Sequence, residues 1–222
     1  MLWSKVLGAG GAGGAYVFPS ATILSSFASA SVDPSGLAFD GTNLIVGNRF
    51  ANTVYVHDGV SSSILTSFGT NSEVSGLTFD GTNLIRCDYG TDLIYVHDGV
   101  SSSILTSFAA PGTLPFGLAF DGTNLISCDL VDATVYVHDG VSSSTLTSFG
   151  SPSTSPTGLT FDGTNLISCD NAADLIYVHD GVSSSILTSF FSPSTSPLGL
   201  TFNGTNLISC DQNGNIYVHD TA

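Results

Sequence analysis

Short apolar stretches alternate with clusters of Gly, Asp, Asn and Ser along most of the chain. Leu77-Thr78-Phe79 puts apolar side chains at alternate positions, the period of a half-buried strand. "DGTN" (Asp80–Asn83) follows, a tight hairpin signal in which Gly supplies positive φ. Leu84–Cys87 is a second strand, followed by a variable loop. Ile94–His97 is a third strand, "DGVSSS" turns the chain again, and Ile104–Phe108 is a fourth. The pattern predicts a unit of four short antiparallel strands.

The unit recurs. "GLAFDGTNLI" begins at Gly36, and its relatives begin at Gly76, Gly117, Gly158 and Gly199, a period close to 41 residues. Four strands in about 40 residues is the size of one propeller blade. The expected fold is all-β: a five-bladed β-propeller with four antiparallel strands per blade. The expected blades are residues 36–68, 76–108, 117–149, 158–190, and 199–222 completed by 21–27. The fifth copy breaks off at Asp220, after its third strand, while "ATILSSF" (Ala21–Phe27) matches the fourth strand "SSILTSF" (Ser62–Phe68). The N-terminal strand is therefore expected to complete the last blade and close the ring. Residues 1–14, rich in Gly, read as a flexible arm ahead of a single domain at 15–222. As a signal peptide this start has a thin apolar core.

Composition sharpens this picture. Of 222 residues, 42% are apolar and 9% charged, so Ser, Thr, Asn and Gly must cover the surface. The cations are Lys5, Arg49 and Arg86, and the net charge is −15. Without clustered Lys and Arg, a nucleic-acid partner is not expected. No apolar run has the length of a membrane span, so membrane insertion is not expected.

The phrase "GLTFDGTNLISCD…IYVHDG…LTSF" resembles the repeat of NHL and YVTN-type β-propellers, over Gly36–Asp220. That resemblance implies the architecture and little about function, since such propellers host lyases, lectin-like binders and docking platforms. Most members have six or seven blades, and five implies a narrower channel. The "WSK" start, the Gly-rich stretch and the nearly identical low-lysine blades resemble virion or tail-associated proteins of environmental phages, implying a virion or extracellular surface setting.

The repeated His-Asp pair invites a catalytic reading. His57, His97, His138, His179 and His219 occupy equivalent positions, however, and adjacent residues on a strand point to opposite faces. The Asp-Gly step is turn chemistry. His97 is expected to pack beside Tyr95 against the next blade. No catalytic residue is assigned and the chain is expected not to be an enzyme, because a dyad needs one asymmetric site with a nucleophile. Cys87, Cys128, Cys169 and Cys210, also spaced by 41, read as buried reduced thiols. Asp88, Asp129, Asp170 and Asp211 follow them, with Asn48 in the first copy. No cofactor is expected. A carboxylate ring holding Ca²⁺ is the alternative to each Asp accepting the N–H groups of its own loop.

Function is expected on one face. The "DGTN" and "HDGVSSS" turns share a face and barely change between copies, whereas the opposite loops vary. The candidate partner contacts are residues that break the repeat there: Arg49, Phe50, Arg86, Tyr89 and Asp92 on the first two blades, with Phe116, Leu130, Asp132 and Leu198 beyond them. Aromatic and Arg side chains are the usual anchors of interfaces. The resulting expectation is an interaction or structural module that meets a protein or glycan through the variable face. A homo-oligomer or larger assembly is compatible with its uncharged surface. A glycan-binding lectin is the alternative, and a polysaccharide-active enzyme ranks third because a glycosidase needs two tuned carboxylates.

Overall fold

A computed structural model describes residues 20–220. The expected N-terminal arm, with Trp3 and Lys5, lies outside them. All twenty elements are strands. The chain opens with β1 (Ile23–Ala28). Blade 1 is β2 (Pro34–Phe39), β3 (Leu44–Asn48), β4 (Thr53–His57) and β5 (Ile64–Gly69). Blade 2 is β6 (Gly76–Phe79), β7 (Leu84–Asp88), β8 (Leu93–His97) and β9 (Ile104–Ala109). Blade 3 is β10 (Pro115–Phe120), β11 (Leu125–Asp129), β12 (Thr134–His138) and β13 (Thr145–Gly150). Blade 4 is β14 (Pro156–Phe161), β15 (Leu166–Asp170), β16 (Leu175–His179) and β17 (Ile186–Phe191). Blade 5 is β18 (Pro197–Phe202), β19 (Leu207–Asp211), β20 (Asn215–His219) and, returning from the N-terminal side, β1.

The fold is thus a five-bladed propeller, each blade an antiparallel meander. The first strands β2, β6, β10, β14 and β18 contact one another in a closed ring around the axis. They are almost wholly buried, whereas the outermost strands are exposed. Leu and Ile side chains between the sheets form the core. Leu84 of blade 2, for example, packs into Ala38, Ile45 and Val54 of blade 1. Burying such a side chain is worth about 1.5–3 kcal/mol. With only five blades the inner strands run very close together. A Cβ on Gly117 would stand 2.8 Å from the Thr157 carbonyl oxygen, and one on Gly158 2.9 Å from that of Leu198. Glycine at the start of "GLxF" is therefore a close-approach residue.

Hydrogen bonds explain why one face is constant. In each "DGTN" turn the Asp carboxylate accepts two backbone N–H groups, as Asp80 Oδ1 does from Thr82 and Asn83 at 2.9 and 2.7 Å. The Asn side chain then reaches the neighbouring turn: Asn83 Oδ1 accepts from Gly99 N at 3.1 Å, and Asn124 and Asn165 repeat this toward Gly140 and Gly181. The Asp, Thr and Asn of these turns are thus each tied to a specific partner.

Ring closure uses the same chemistry between chain ends. β1 pairs antiparallel with β20. In blade 4, His179 Nδ1 donates to the Ser183 carbonyl and Ser183 Oγ to the Asp180 carbonyl. In blade 5, Ser20 supplies both groups: its carbonyl accepts from His219 Nδ1 at 2.9 Å, and its hydroxyl donates to the Asp220 carbonyl at 3.2 Å. Asp220 N–H donates to Thr22 O, as Asp180 N–H does to Ser185 O.

Candidate functional site

The His side chains are structural parts of the blades. All five are buried, while Asp58, Asp98, Asp139 and Asp180 beside them are exposed. Each Nδ1 lies 2.6–2.9 Å from a Ser carbonyl, which can only accept, so Nδ1 carries the proton. Burial holds each imidazole below its ordinary pKa despite that bond, and all five are neutral at pH 7. The strand pattern places His97 against the next blade; the ring contact seen in the structure is with the preceding one. The His97 ring lies 5.9 Å from Phe68 on the outermost strand of that preceding blade. The same contact joins Phe27 to His57 across the closure.

The thiols are buried and reduced. Burial pushes Cys87 and Cys169 up to about 12, because a thiolate there would be poorly solvated. The aspartates beside them serve their own loops. Asp129 Oδ1 accepts from Val131 and Asp132 N–H at 2.9 and 2.8 Å, and its Oδ2 from Leu114 N–H at 2.8 Å. Asp170 does the same with Ala172, Ala173 and Ser155. Among the described residues no three His, Cys, Asp or Glu groups are placed to hold a metal ion.

What differs between blades gathers at the channel mouth on the variable face. A cavity of about 240 Å³ there is lined by Arg49, Phe116, Leu130, Ser155, Thr157, Asn171, Leu198 and Gln212. These belong to three sets of equivalent positions. The residue after the loop-capping Asn or Asp is Arg49, Tyr89, Leu130, Asn171 and Gln212, different in every blade. The residue before the close-approach glycine is Ser35, Ser75, Phe116, Thr157 and Leu198. Three residues before that glycine stand Asp33, Glu73, Leu114, Ser155 and Ser196.

The first and third sets touch within each blade, and their chemistries match. In blade 1, Arg49 forms a two-pronged ion pair with Asp33: Nε donates to Oδ2 at 3.0 Å and Nη2 to Oδ1 at 3.2 Å. In blade 2, Tyr89 lies beside Glu73, and burial and that carboxylate raise the phenol's pKa. In blade 3 both positions are Leu, and in blades 4 and 5 they are Ser with Asn and Ser with Gln, joined by backbone bonds of 3.0–3.1 Å. The rim therefore runs from charged and aromatic, through aliphatic, to amide and hydroxyl.

Several residues singled out from the sequence meet here. The Arg49 guanidinium lies 4.8 Å from the Phe50 ring and 5.7 Å from both Tyr89 and Phe116, and the last two rings stack at 6.2 Å. Leu130 and Leu198 face the same cavity. The other three lie elsewhere. Arg86 is buried within blade 2, so it adds no charge beside Arg49. Asp92 occupies a left-handed turn position at φ 57°, and Asp132 is exposed on the corresponding loop of blade 3. Asn171 and Gln212, also on the rim, went unrecognised. Five different residues in one column of a near-perfect repeat is the signal that marks them.

The fold has solved counterparts. The crystal structure of a Myxococcus xanthus glutaminyl cyclase superposes with a TM-score of 0.79 at 12% identity, over 92% of this chain and 97% of that one. A chain of a mitotic checkpoint complex gives a TM-score of 0.59 at 13% identity, over 99% of this chain and 98% of its own. At these identities the likeness shows the fold alone. No family model and no curated protein matches the sequence. The expectation that the chain is not an enzyme is corrected by the first of these structures: a propeller alike over nearly its whole length is a glutaminyl cyclase. Repetition of the blades is thus no argument against catalysis, because one end of the channel can be asymmetric while the scaffold repeats.

Proposed function

We propose that the protein is a binding propeller whose channel mouth on the variable face receives an acidic group of a partner, the carboxylate of a protein segment or of an acidic sugar. The observation that carries this reading is the placement of variation. The cavity is lined by positions at which near-identical blades differ. Arg49 spends Nε and Nη2 on Asp33, and among the described residues Nη1 has no hydrogen-bond acceptor. That nitrogen remains to donate to a carboxylate oxygen. Phe50, Tyr89 and Phe116 flank it with aromatic surface, and Asn171, Gln212 and Ser155 offer amide and hydroxyl groups across the opening. Aromatic and Arg anchors ringed by polar groups are the usual anatomy of a binding hot spot.

The setting we infer, an exposed part of a virion or surface assembly, rests on the NHL-like repeat and the phage-like layout of the sequence. Direct titration tests the site itself. Peptides with free C-terminal carboxylates and acidic monosaccharides are titrated while the amides of residues 49, 89, 116, 130 and 198 are followed by NMR. A ligand of the proposed class shifts these resonances together, and Arg49→Ser weakens it about tenfold or more. Shifts confined to the "DGTN" face would reverse the assignment of faces.

A further inference from the structure

Blade 2 departs from the later blades at one buried point. In blades 3, 4 and 5 a serine on the second strand donates to the His Nε2: Ser127 to His138 at 2.9 Å, Ser168 to His179 at 2.9 Å and Ser209 to His219 at 2.8 Å. In blade 2 that position is Arg86. Its guanidinium lies 3.9 Å from the centre of the Tyr95 ring, and Nη1 donates to the Glu73 carbonyl at 3.1 Å. Arg86 Nε and His97 Nε2 are among the buried atoms left without a hydrogen-bond partner. Both residues are 1% exposed. In blade 1, Val46 also leaves His57 Nε2 unpartnered, but valine brings no donor with it.

The two orphans are complementary. His97 Nδ1 donates to the Ser101 carbonyl at 2.6 Å, so Nε2 presents a lone pair, while Arg86 Nε presents a proton. Both residues line one cleft of about 310 Å³, shared with Thr70 and Asn71 from blade 1 and Ser102 from blade 2. One bridging water would fill roughly a tenth of it, since a water occupies about 30 Å³. An anion is a poor match. The Arg86 charge already faces Asp88 at 3.6 Å, and the chain carries −15. A hydroxyl group is the simplest function that both donates and accepts.

We propose that this cleft is a second binding site, for a hydroxyl-rich ligand, a free monosaccharide or the terminal sugar of a glycan. One ligand hydroxyl donates to His97 Nε2 and accepts from Arg86 Nε–H. Asn71 and Ser102 supply further hydrogen bonds at the rim. Filling the cleft relieves two desolvated groups, of which the His Nε2 is the one that serine relieves in the later blades.

The test uses the full chain with ¹⁵N-labelled histidine. It is titrated with free glucose, galactose, mannose, fucose and N-acetylglucosamine, and with short glycans ending in the same sugars. At least one should shift the His97 Nε2 resonance saturably, with a dissociation constant on the order of millimolar, as expected for a few hydrogen bonds. Response to the free sugar points to a small-molecule ligand, and response to the glycans alone points to a glycan end. Arg86→Ser rebuilds the Ser–His bond of blades 3–5 and should abolish the shift. Asn71→Ala, on the exposed rim, should weaken binding at least about threefold with unchanged melting. No shift with any of these sugars, or a shift that survives Arg86→Ser and Asn71→Ala alike, overturns the proposal.

Discussion

The Nδ1 of His219 lies 2.9 Å from the carbonyl oxygen of Ser20, 199 residues away in the chain. Within blade 4 the corresponding partners, His179 and Ser183, are four residues apart. Two residues, Gly181 and Val182, separate Asp180 from Ser183 there, and two residues, Thr221 and Ala222, follow Asp220. A circular permutant that joins Ala222 directly to Ser20, with new ends in an exposed "DGTN" turn, should fold and melt at or above the temperature of the parent. Deleting residues up to Ala28 should do the opposite, baring the edge of β20 and producing aggregates on size-exclusion chromatography. A truncated chain that stayed monomeric with unchanged melting would exclude closure by β1.

Acid should destabilise the fold through its histidines. Burial lowers the folded-state pKa of all five, while in the unfolded chain they titrate near 6.5. Between those values the unfolded chain binds more protons, so stability is full above about pH 6.5 and falls as pH drops toward the folded values. Urea midpoints measured from pH 8 to pH 5 should therefore decline below about 6.5. Replacing His138 with Asn should reduce the slope, because one fewer proton is taken up on unfolding.

Ala133 sits at φ 47°, in the turn position that Asn52, Asp92, Asp174 and Gly214 fill in the other blades. Alanine there carries strain that Asn and Gly tolerate better. Ala133→Asn should stabilise the protein by up to about 1 kcal/mol, read as a rise in the urea midpoint at constant slope.

The scaffold was legible because its chemistry is local. "DGTN" fixes its turn through an Asp side chain, "HDG" through the His and Ser side chains, and both through glycine at positive φ, so counting them counts blades. The spare strand at Ala21–Phe27 was legible because it matched a phrase missing elsewhere. The mouth was only half legible. Arg49, Phe116, Leu130 and Leu198 stood out as breaks in the repeat, but the pairings of Asp33 with Arg49 and of Glu73 with Tyr89 join loops sixteen residues apart. Arg86 was misplaced for the same reason: whether a long side chain leaves the blade or folds onto Tyr95 depends on packing that no spacing encodes.

Closure between β1 and β20 also has a mechanical consequence. Ser20 and Asp220 lie at the same end of an antiparallel pair. Tension applied through these two points would load the ladder rungs one after another, from Ser20–Asp220 and Thr22–Asp220 inward, and would not shear them together. The ring would then open by peeling at low force, one strand at a time.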